Sequence, residues 1–292
     1  MNHAGRTDGG ATGRDTPAHA PDSYYCRPSL VSPVSLDYDY HTHSTYSDGD
    51  LLPRMLAAAE SAGLAGVGIT DHCNVADREA MREMRARFGF TLDETYERRR
   101  RGIDSYRDRF DLRIFDAVEM DYEPQDEARI ADFLEEAAFD YAIGSVHHVE
   151  DVNVHFESYF GRKSESERRA VVTTYFDKLV ALVDSELFEV AAHPDLIERN
   201  PALRGLATEA DYERVAAAFA DSRTVPEVNA GRALDDYGEF HPTPAFLDAL
   251  LERGVRVTVG TDSHAPETIE PRLAALSDRL AEAGVAPVEV VS

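Results

Sequence analysis

The chain has 292 residues, 43% of them apolar and 29% charged, which is ample for one large domain and in the range of a single α/β barrel of about 250 residues. Acidic residues outnumber basic ones 55 to 30 for a formal charge of −25. That argues against DNA, RNA and anionic lipid as partners, because affinity for them comes largely from basic side chains displacing counterions.

From Met1 to about Pro33 the chain is rich in Gly, Ala, Thr, Asp and Pro and has no apolar core long enough for a signal peptide. A disordered extension over 1–33 is expected, with one folded domain over 34–292. Leu36 to Tyr40 alternates apolar and charged residues as a strand does, so His41 and His43 leave it on the same side. Asp48 follows five residues after His43, and two imidazoles with that carboxylate make a compact chelate for a divalent ion. A dry structural role would bury three polar side chains without partners, which is costly.

Leu51 to Ala62 reads as a helix stopped by Gly63, and Ala65 to Thr70 as a strand ending in Asp71-His72. Arg78 to Arg109 reads as helical with a break at Phe88-Gly89-Phe90. Strand Leu112 to Val118 then ends in Glu119-Met120-Asp121. Helix Gln125 to Ala137 precedes strand Asp140 to Val146, which ends in His147-His148. Glu150 to Ser164 is a long polar stretch, expected to be a functional or mobile loop. Helix Glu165 to Ser185 precedes strand Leu187 to Ala192 and His193-Pro194-Asp195, and helix Glu209 to Asp221 precedes strand Thr224 to Asn229. Helix Thr243 to Arg253 leads to strand Val255 to Gly260 and Thr261-Asp262-Ser263-His264. Helix Pro266 to Ala283 and a short run, Pro287 to Val291, complete the chain. No stretch approaches the ~20 apolar residues of a membrane span.

Strand and helix alternate throughout, which predicts a parallel sheet with right-handed crossovers. Nearly every strand is followed by His, Asp, Glu or Asn, and in a parallel barrel those positions share one mouth, where such folds build active sites. His41, His43, Asp48, His72, Glu119, His147, His193, Asp262 and His264 supply nine ligands, enough for three ions. A single strand-end histidine is more often a satisfied core residue, but several at successive strand ends are hard to explain that way. His148 should point to the other side of its strand from His147. His155 and His241 lie in polar loops, solvated or facing substrate, and His3 and His19 fall in the N-terminal extension. Asp71 and Asp195 are expected to hold backbone or ring N–H groups behind the ligands.

The two cysteines, Cys26 and Cys73, are too few for a disulfide scaffold and too far apart for a zinc knuckle, pointing to a reduced, cytoplasmic compartment. Cys73 is expected to be a small buried residue. Lys163 and Lys178 are the only lysines. So much acid with so little lysine suits a high-salt, halophilic cytoplasm, where screening shortens self-repulsion.

His41-Thr42-His43, Ser47-Asp48-Gly49, Ile69-Thr70-Asp71-His72, Glu119, Gly144-Ser145-Val146-His147, His193-Pro194-Asp195-Leu196 and Gly260-Thr261-Asp262-Ser263-His264 together resemble the polymerase and histidinol phosphatase (PHP) superfamily. Within it, Gly144-Ser145-Val146-His147, Leu187-Phe188-Glu189-Val190 and Glu227-Val228-Asn229-Ala230-Gly231 are most similar to the monofunctional histidinol-phosphatase branch. The resemblance implies a distorted (β/α)7 barrel and a metal-dependent phosphomonoester hydrolase holding three divalent ions, Zn, Mn or Fe. One ion would take His41, His43, Glu119 and Asp262, a second Glu119, His147 and His193, and a third Asp48, His72 and His264. Glu119, Asp262 and His193 would then be the candidate catalytic residues. Two departures touch the substrate pocket: His148 stands where the branch has an aromatic residue, and Arg232 follows Gly231 immediately.

The expected substrate is a small phosphomonoester, histidinol phosphate first, with Arg199, Arg232 and His241 as candidate substrate-binding groups. Either arginine could instead be a surface ion pair, and His241 competes with bound water as the proton donor to the leaving group. An amidohydrolase barrel also carries His-x-His on its first strand, but it commonly bridges its metals through a modified lysine, and neither Lys163 nor Lys178 stands at a strand end. A nuclease of the same superfamily would want a basic groove, which this composition does not offer. A non-enzymatic metal-binding module would be marked by lost ligands, and all nine are present. The sequence sets no oligomeric state.

Overall fold

The computed structural model describes residues 34–291. The expected disordered extension, with Cys26, His3 and His19, lies outside the described residues.

Strand β1 (Tyr38–Thr42) leads to α1 (Leu52–Ser61), β2 (Gly66–Ile69) and the two-residue β3 (His72–Cys73). Helices α2 (Glu79–Phe88) and α3 (Leu92–Arg107) precede the long β4 (Arg113–Asp121), and a 3-10 turn at Pro124–Asp126 opens α4 (Glu127–Ala137) before β5 (Tyr141–Ser145). A small hairpin, β6 (His148–Val149) and β7 (Val152–Asn153), is followed by α5 (Glu157–Phe160), α6 (Glu165–Asp184) and β8 (Val190–Ala191). After α7 (Glu209–Ala220) come β9 (Val225–Asn229), α8 (Pro244–Glu252), β10 (Thr258–Gly260) and α9 (Pro266–Ala283).

The main sheet runs β1-β2-β4-β5-β8-β9-β10 with parallel pairing throughout, and β3 adds to the upper part of β4. It closes on itself beyond β10, where Asp262 N–H donates to His41 O at 2.8 Å and His43 N–H donates to Ser263 O at 2.9 Å. This is a (β/α)7 barrel distorted in two places. The register of β1 on β2 slips between Asp39 and Thr42, and β8 pairs regularly over only two residues.

Along β4, Phe115, Ala117 and Glu119 share one face by the strand's period of two. Phe115 and Ala117 pack with Tyr40, Tyr141, Ile143, Val190 and Ala192. On the opposite face, Ile114 joins the core with α1, α3 and α9, and Val118 and Met120 join the larger core with α6, α7 and α8. The first cluster therefore fills the barrel interior, and Glu119 is the next rung above an apolar plug.

One expectation needs correction. β4 continues through Glu119 to Asp121 instead of stopping at Val118, because β3 and β5 supply partners on both sides there, with Glu119 opposite His72 and Ile143. The stretch 150–164, expected as a functional or mobile loop, carries β7 and α5 and lends Asn153, His155 and Phe156 to a cavity. Its Val154 and Phe160 side chains are fully buried and Asn200 Nδ2 donates to Val154 O at 2.7 Å, which pins the stretch to the body. In the Pro287–Val291 run, Val288 N–H donates to Val257 O at 2.8 Å. The predicted turn at Gly89 is present, with φ +73° between α2 and α3.

Candidate metal centre

All nine sequence-predicted ligands converge at the mouth of the barrel, at the carboxyl ends of the strands. β1 delivers His41 and His43, whose Nε2 atoms lie only 3.1 Å apart. Glu119 Oε2 is 3.3 Å from His41 Nε2 and 3.5 Å from His43 Nε2, while Asp262 Oδ1 is 3.8 and 3.3 Å from the same two atoms. Separations of 3.1–3.5 Å among His41, His43 and Glu119 are those of neighbouring ligand atoms each roughly 2.1 Å from a common ion, the bond length zinc makes to imidazole nitrogen and carboxylate oxygen. The donor set fits a divalent ion.

The other oxygen of Glu119 faces a second group. Oε1 is 2.9 Å from His193 Nε2 and 3.4 Å from His147 Nε2, and it accepts a hydrogen bond from Ser145 Oγ at 2.6 Å. A third group surrounds Asp48, whose Oδ1 lies 3.3 Å from His264 Nε2, 3.8 Å from His72 Nε2 and 3.9 Å from His43 Nδ1. His72 spans two groups, since its Nδ1 is 2.8 Å from Glu119 Oε2. Despite that crowd, Glu119 Oε2 is buried with no donor in hydrogen-bonding geometry. A buried carboxylate oxygen without a partner is expensive, and a cation between it and the imidazoles removes the cost.

The electrostatics follow from this crowding. Burial alone would raise the Glu119 pKa, but His72, His41 and His147 pull it well below the carboxylate range, and His41 and His43 do the same for Asp262. Burial, with His264 and His72 beside it, pushes His43 down to about 4, leaving a neutral ring with one nitrogen free to bind an ion. Burial would also depress His41, but Glu227, Glu119 and Asp262 outweigh it and raise it well above its ordinary value.

A supporting layer aims these groups. Glu227 Oε1 lies 2.8 Å from His41 Nδ1, so Nε2 is the nitrogen left for a ligand, and Glu227 Oε2 accepts the His193 N–H at 2.9 Å. Asp121 Oδ1 holds His147 Nδ1 at 2.5 Å. Gly260 is required for the first contact, because a Cβ there would stand 1.8 Å from Glu227 Oε1. Two of the ligands sit at positive φ, His193 at +28° and Asp262 at +50°, a conformation costing roughly 1–3 kcal/mol for a residue with a side chain. Asp262 is held in it by Arg272, whose Nη1 donates to Asp262 O at 2.8 Å.

Sequence reasoning missed Glu227, Asp121 and Arg272. Asp121 could have been found two residues from Glu119 on the same strand face, and Glu227 likewise two residues before Asn229. Arg272 lies inside α9 and carries no local signal.

The remaining candidates separate clearly. Arg199 and Arg232 both line the cavity of about 570 Å³ above the cluster, as do His155 and His148. Arg199 Nη2 reaches Asn229 Oδ1 and Asp262 Oδ2 at 3.5 Å, and exposed Arg232 pairs with Asp235 at 3.2 Å. His148, expected to turn away, instead stands beside the same carboxylate as its neighbour, 3.9 Å from Asp121 Oδ2. His241 is a correction: it is fully buried and does not line the cavity. Its Nδ1–H donates to Asp195 Oδ1 at 2.6 Å, and its Nε2 accepts from Arg199 Nε at 3.0 Å. That pairing needs the neutral ring, and burial lowers its pKa accordingly. His241 therefore positions Arg199 and has no free nitrogen for substrate or for protonating a leaving group.

Asp195 holds a ring N–H and the Thr243 N–H, as expected. Asp71 accepts from Ser44 N–H, Ser44 Oγ, Ser47 Oγ and Arg99 but from no imidazole. Cys73 is buried. No helix among the described residues is long and apolar enough to cross a membrane.

Comparison with known proteins agrees with this geometry. A family model described as the PHP domain matches residues 39–231. A histidinol-phosphatase of Lactococcus lactis is 25% identical over 240 residues, covering 77% of this chain and 83% of that protein. A protein of Deinococcus radiodurans described as a probable histidinol-phosphatase is 26% identical over 232 residues, covering 76% and 84%. In fold, the chain is similar to the crystal structure of the L. lactis histidinol phosphate phosphatase complexed with zinc, L-histidinol and phosphate. The TM-score is 0.67 at 20% identity, over 88% of this chain and 97% of that one.

Proposed function

The chain belongs to the PHP domain family, whose model covers residues 39–231, and from that membership we propose that it is a metal-dependent phosphomonoester hydrolase acting on L-histidinol phosphate, releasing L-histidinol and phosphate in histidine biosynthesis. The observation that carries the reading is Glu119: a buried carboxylate with one oxygen unpartnered, set between two groups of imidazole nitrogens. The relatives that share the fold are histidinol-phosphatases.

His41, His43, Glu119 and Asp262 hold one divalent ion, Glu119, His147 and His193 a second, and Asp48, His72 and His264 a third. Bound there, the ions supply a water nucleophile active at neutral pH and neutralise charge on the phosphoryl oxygens. The chain's own residues do the rest. Arg199, held by His241, and Arg232, paired with Asp235 at the exposed rim, present guanidinium groups to the phosphate. Glu227 and Asp121 fix which nitrogen of His41 and His147 faces the centre. The buried, strained settings of His193 and Asp262 keep two ligands in place before substrate arrives. The acidic surface does not oppose an anionic substrate here, because exposed charges more than about 8–10 Å away are screened.

The test is a phosphomonoester panel of histidinol phosphate, sugar phosphates and nucleotides, with Zn, Mn or Fe added in turn at high salt. The reading predicts the highest kcat/KM for histidinol phosphate. Histidinol phosphate losing to every other member would reject the substrate and leave the phosphoesterase.

A further inference from the structure

Resting on the reading above, we infer that Phe90, with Phe88 and Phe156, forms a subsite that selects phosphate esters whose leaving group carries a flat aromatic ring.

The case starts with where the chain spends its apolar residues. Helix α2 buries only Met81 in the body of the protein. Its other large apolar side chains, Met84 and Phe88, line the cavity instead, and Phe88 remains 54% exposed at the rim. A ten-residue helix that gives one side chain to the core and two to a cavity is not built mainly for packing.

The turn that ends α2 then brings a further ring to the cavity. Gly89 adopts φ +73°, and the N–H groups of Gly89 and Phe90 both donate to Arg85 O, at 2.8 and 3.1 Å. The reversal lays Phe90 against Phe88, ring centroids 5.8 Å apart at 25°, and against His72 at 5.1 Å. Arg85 fixes the turn by donating to Asn74 O and Ala76 O, each at 2.7 Å.

A separate segment repeats the pattern. Between the fully buried Val154 and Phe160, Phe156 is left 48% exposed and lines the same cavity. Two unrelated stretches of chain thus leave aromatic rings facing one space. Of the three arginines lining that space, Arg272 is engaged with the Asp262 backbone while Arg199 and Arg232 are suited to the phosphate, so the apolar rings are left for the other end of the ester. A planar ring gains from stacking on such walls, whereas a sugar would bury hydroxyls against them without partners. Imidazole satisfies the requirement.

The test uses the metal-loaded full chain and two pairs of esters. Histidinol phosphate is compared with O-phosphoalaninol, the same molecule without its imidazole, and benzyl phosphate with ethyl phosphate. Wild type should favour the ring-bearing member of each pair in kcat/KM. Phe90→Ala and, separately, Phe156→Ala should each cut that preference about tenfold, chiefly through KM. Metal content is measured in parallel. If Phe90 only braces His72, Phe90→Ala lowers metal content and both members of a pair alike, and Phe156→Ala, whose ring stacks on none of the candidate ligands, leaves the preference intact.

Preferences within twofold of wild type in both variants would overturn the subsite while leaving histidinol phosphate as the substrate. Preferences that fall for benzyl over ethyl phosphate in a protein that ignores histidinol phosphate would do the reverse.

Discussion

Two clusters of buried charge lie three residues apart on β4, and they are built on opposite principles. Around Asp116, donors meet acceptors: Arg99 Nη2 donates to Asp116 Oδ1 at 2.8 Å and Nη1 to Asp71 Oδ2 at 3.0 Å, and Arg100 Nε donates to Asp116 Oδ2 at 2.7 Å. Apart from Arg99 Nε, the polar atoms of that cluster find partners inside the protein. Around Glu119, ring nitrogens and carboxylate oxygens are crowded together with too few hydrogen bonds to account for them. Imidazole nitrogens approach one another to 3.1 Å and carboxylate oxygens to 2.8–3.8 Å, with Glu119 Oε2 lacking any donor. Burial and charge are common to both. What separates a structural cluster from a binding one is whether its chemistry is complete without a guest.

The largest effect that sharpens this contrast is expected from Glu119→Gln. Removing the shared anion should cost on the order of 10⁴-fold in turnover and lower metal content. Full metal and full turnover in that variant, read by elemental analysis and steady-state kinetics, would make the two clusters alike. Arg99→Met should act the other way. It takes the paired charge from Asp71 and one of the two from Asp116 and should lower unfolding free energy by about 3–5 kcal/mol, measured in urea. Smaller effects belong to the supporting layer, where Glu227→Gln or Asp121→Asn should weaken metal binding by about 10–100-fold without unfolding the barrel.

The smallest effect is one of pH. In the metal-free protein, burial would lower the His147 pKa, but Glu119 and Asp121 outweigh it and hold it at about 10. The ring is therefore protonated at neutral pH and must lose its proton to bind an ion. Metal affinity should rise with pH by up to about tenfold per unit until that value is reached. Titration calorimetry in buffers of different ionisation enthalpy should show the released proton, and an affinity flat from pH 6 to 9 would contradict the assignment.

Most of the barrel, and the gathering of nine His, Asp and Glu side chains at its mouth, were legible in the sequence, because strand-end histidines and acids recur at the spacing of a parallel αβ repeat. The bounds of α9, Pro266–Ala283, and the break at Gly89 follow from local signals alone. Strand ends did not. The extension of β4 to Asp121 depends on β3, a two-residue strand with no periodicity to read, and the shortness of β8 depends on its neighbours. His241 looked solvated because its neighbours are polar. Only the fold shows that Asp195, forty-six residues earlier, draws it inside. Glu227 is the same lesson in reverse, a charged residue in an apolar strand whose partners, His41 and His193, arrive from far along the chain.

Anomalous diffraction at a metal absorption edge, on crystals of the metal-loaded protein, tests the central claim most directly. The account predicts three peaks, two of them flanking Glu119 and the third beside Asp48 among His72 and His264. A map with no peak within bonding distance of either Glu119 oxygen would contradict it.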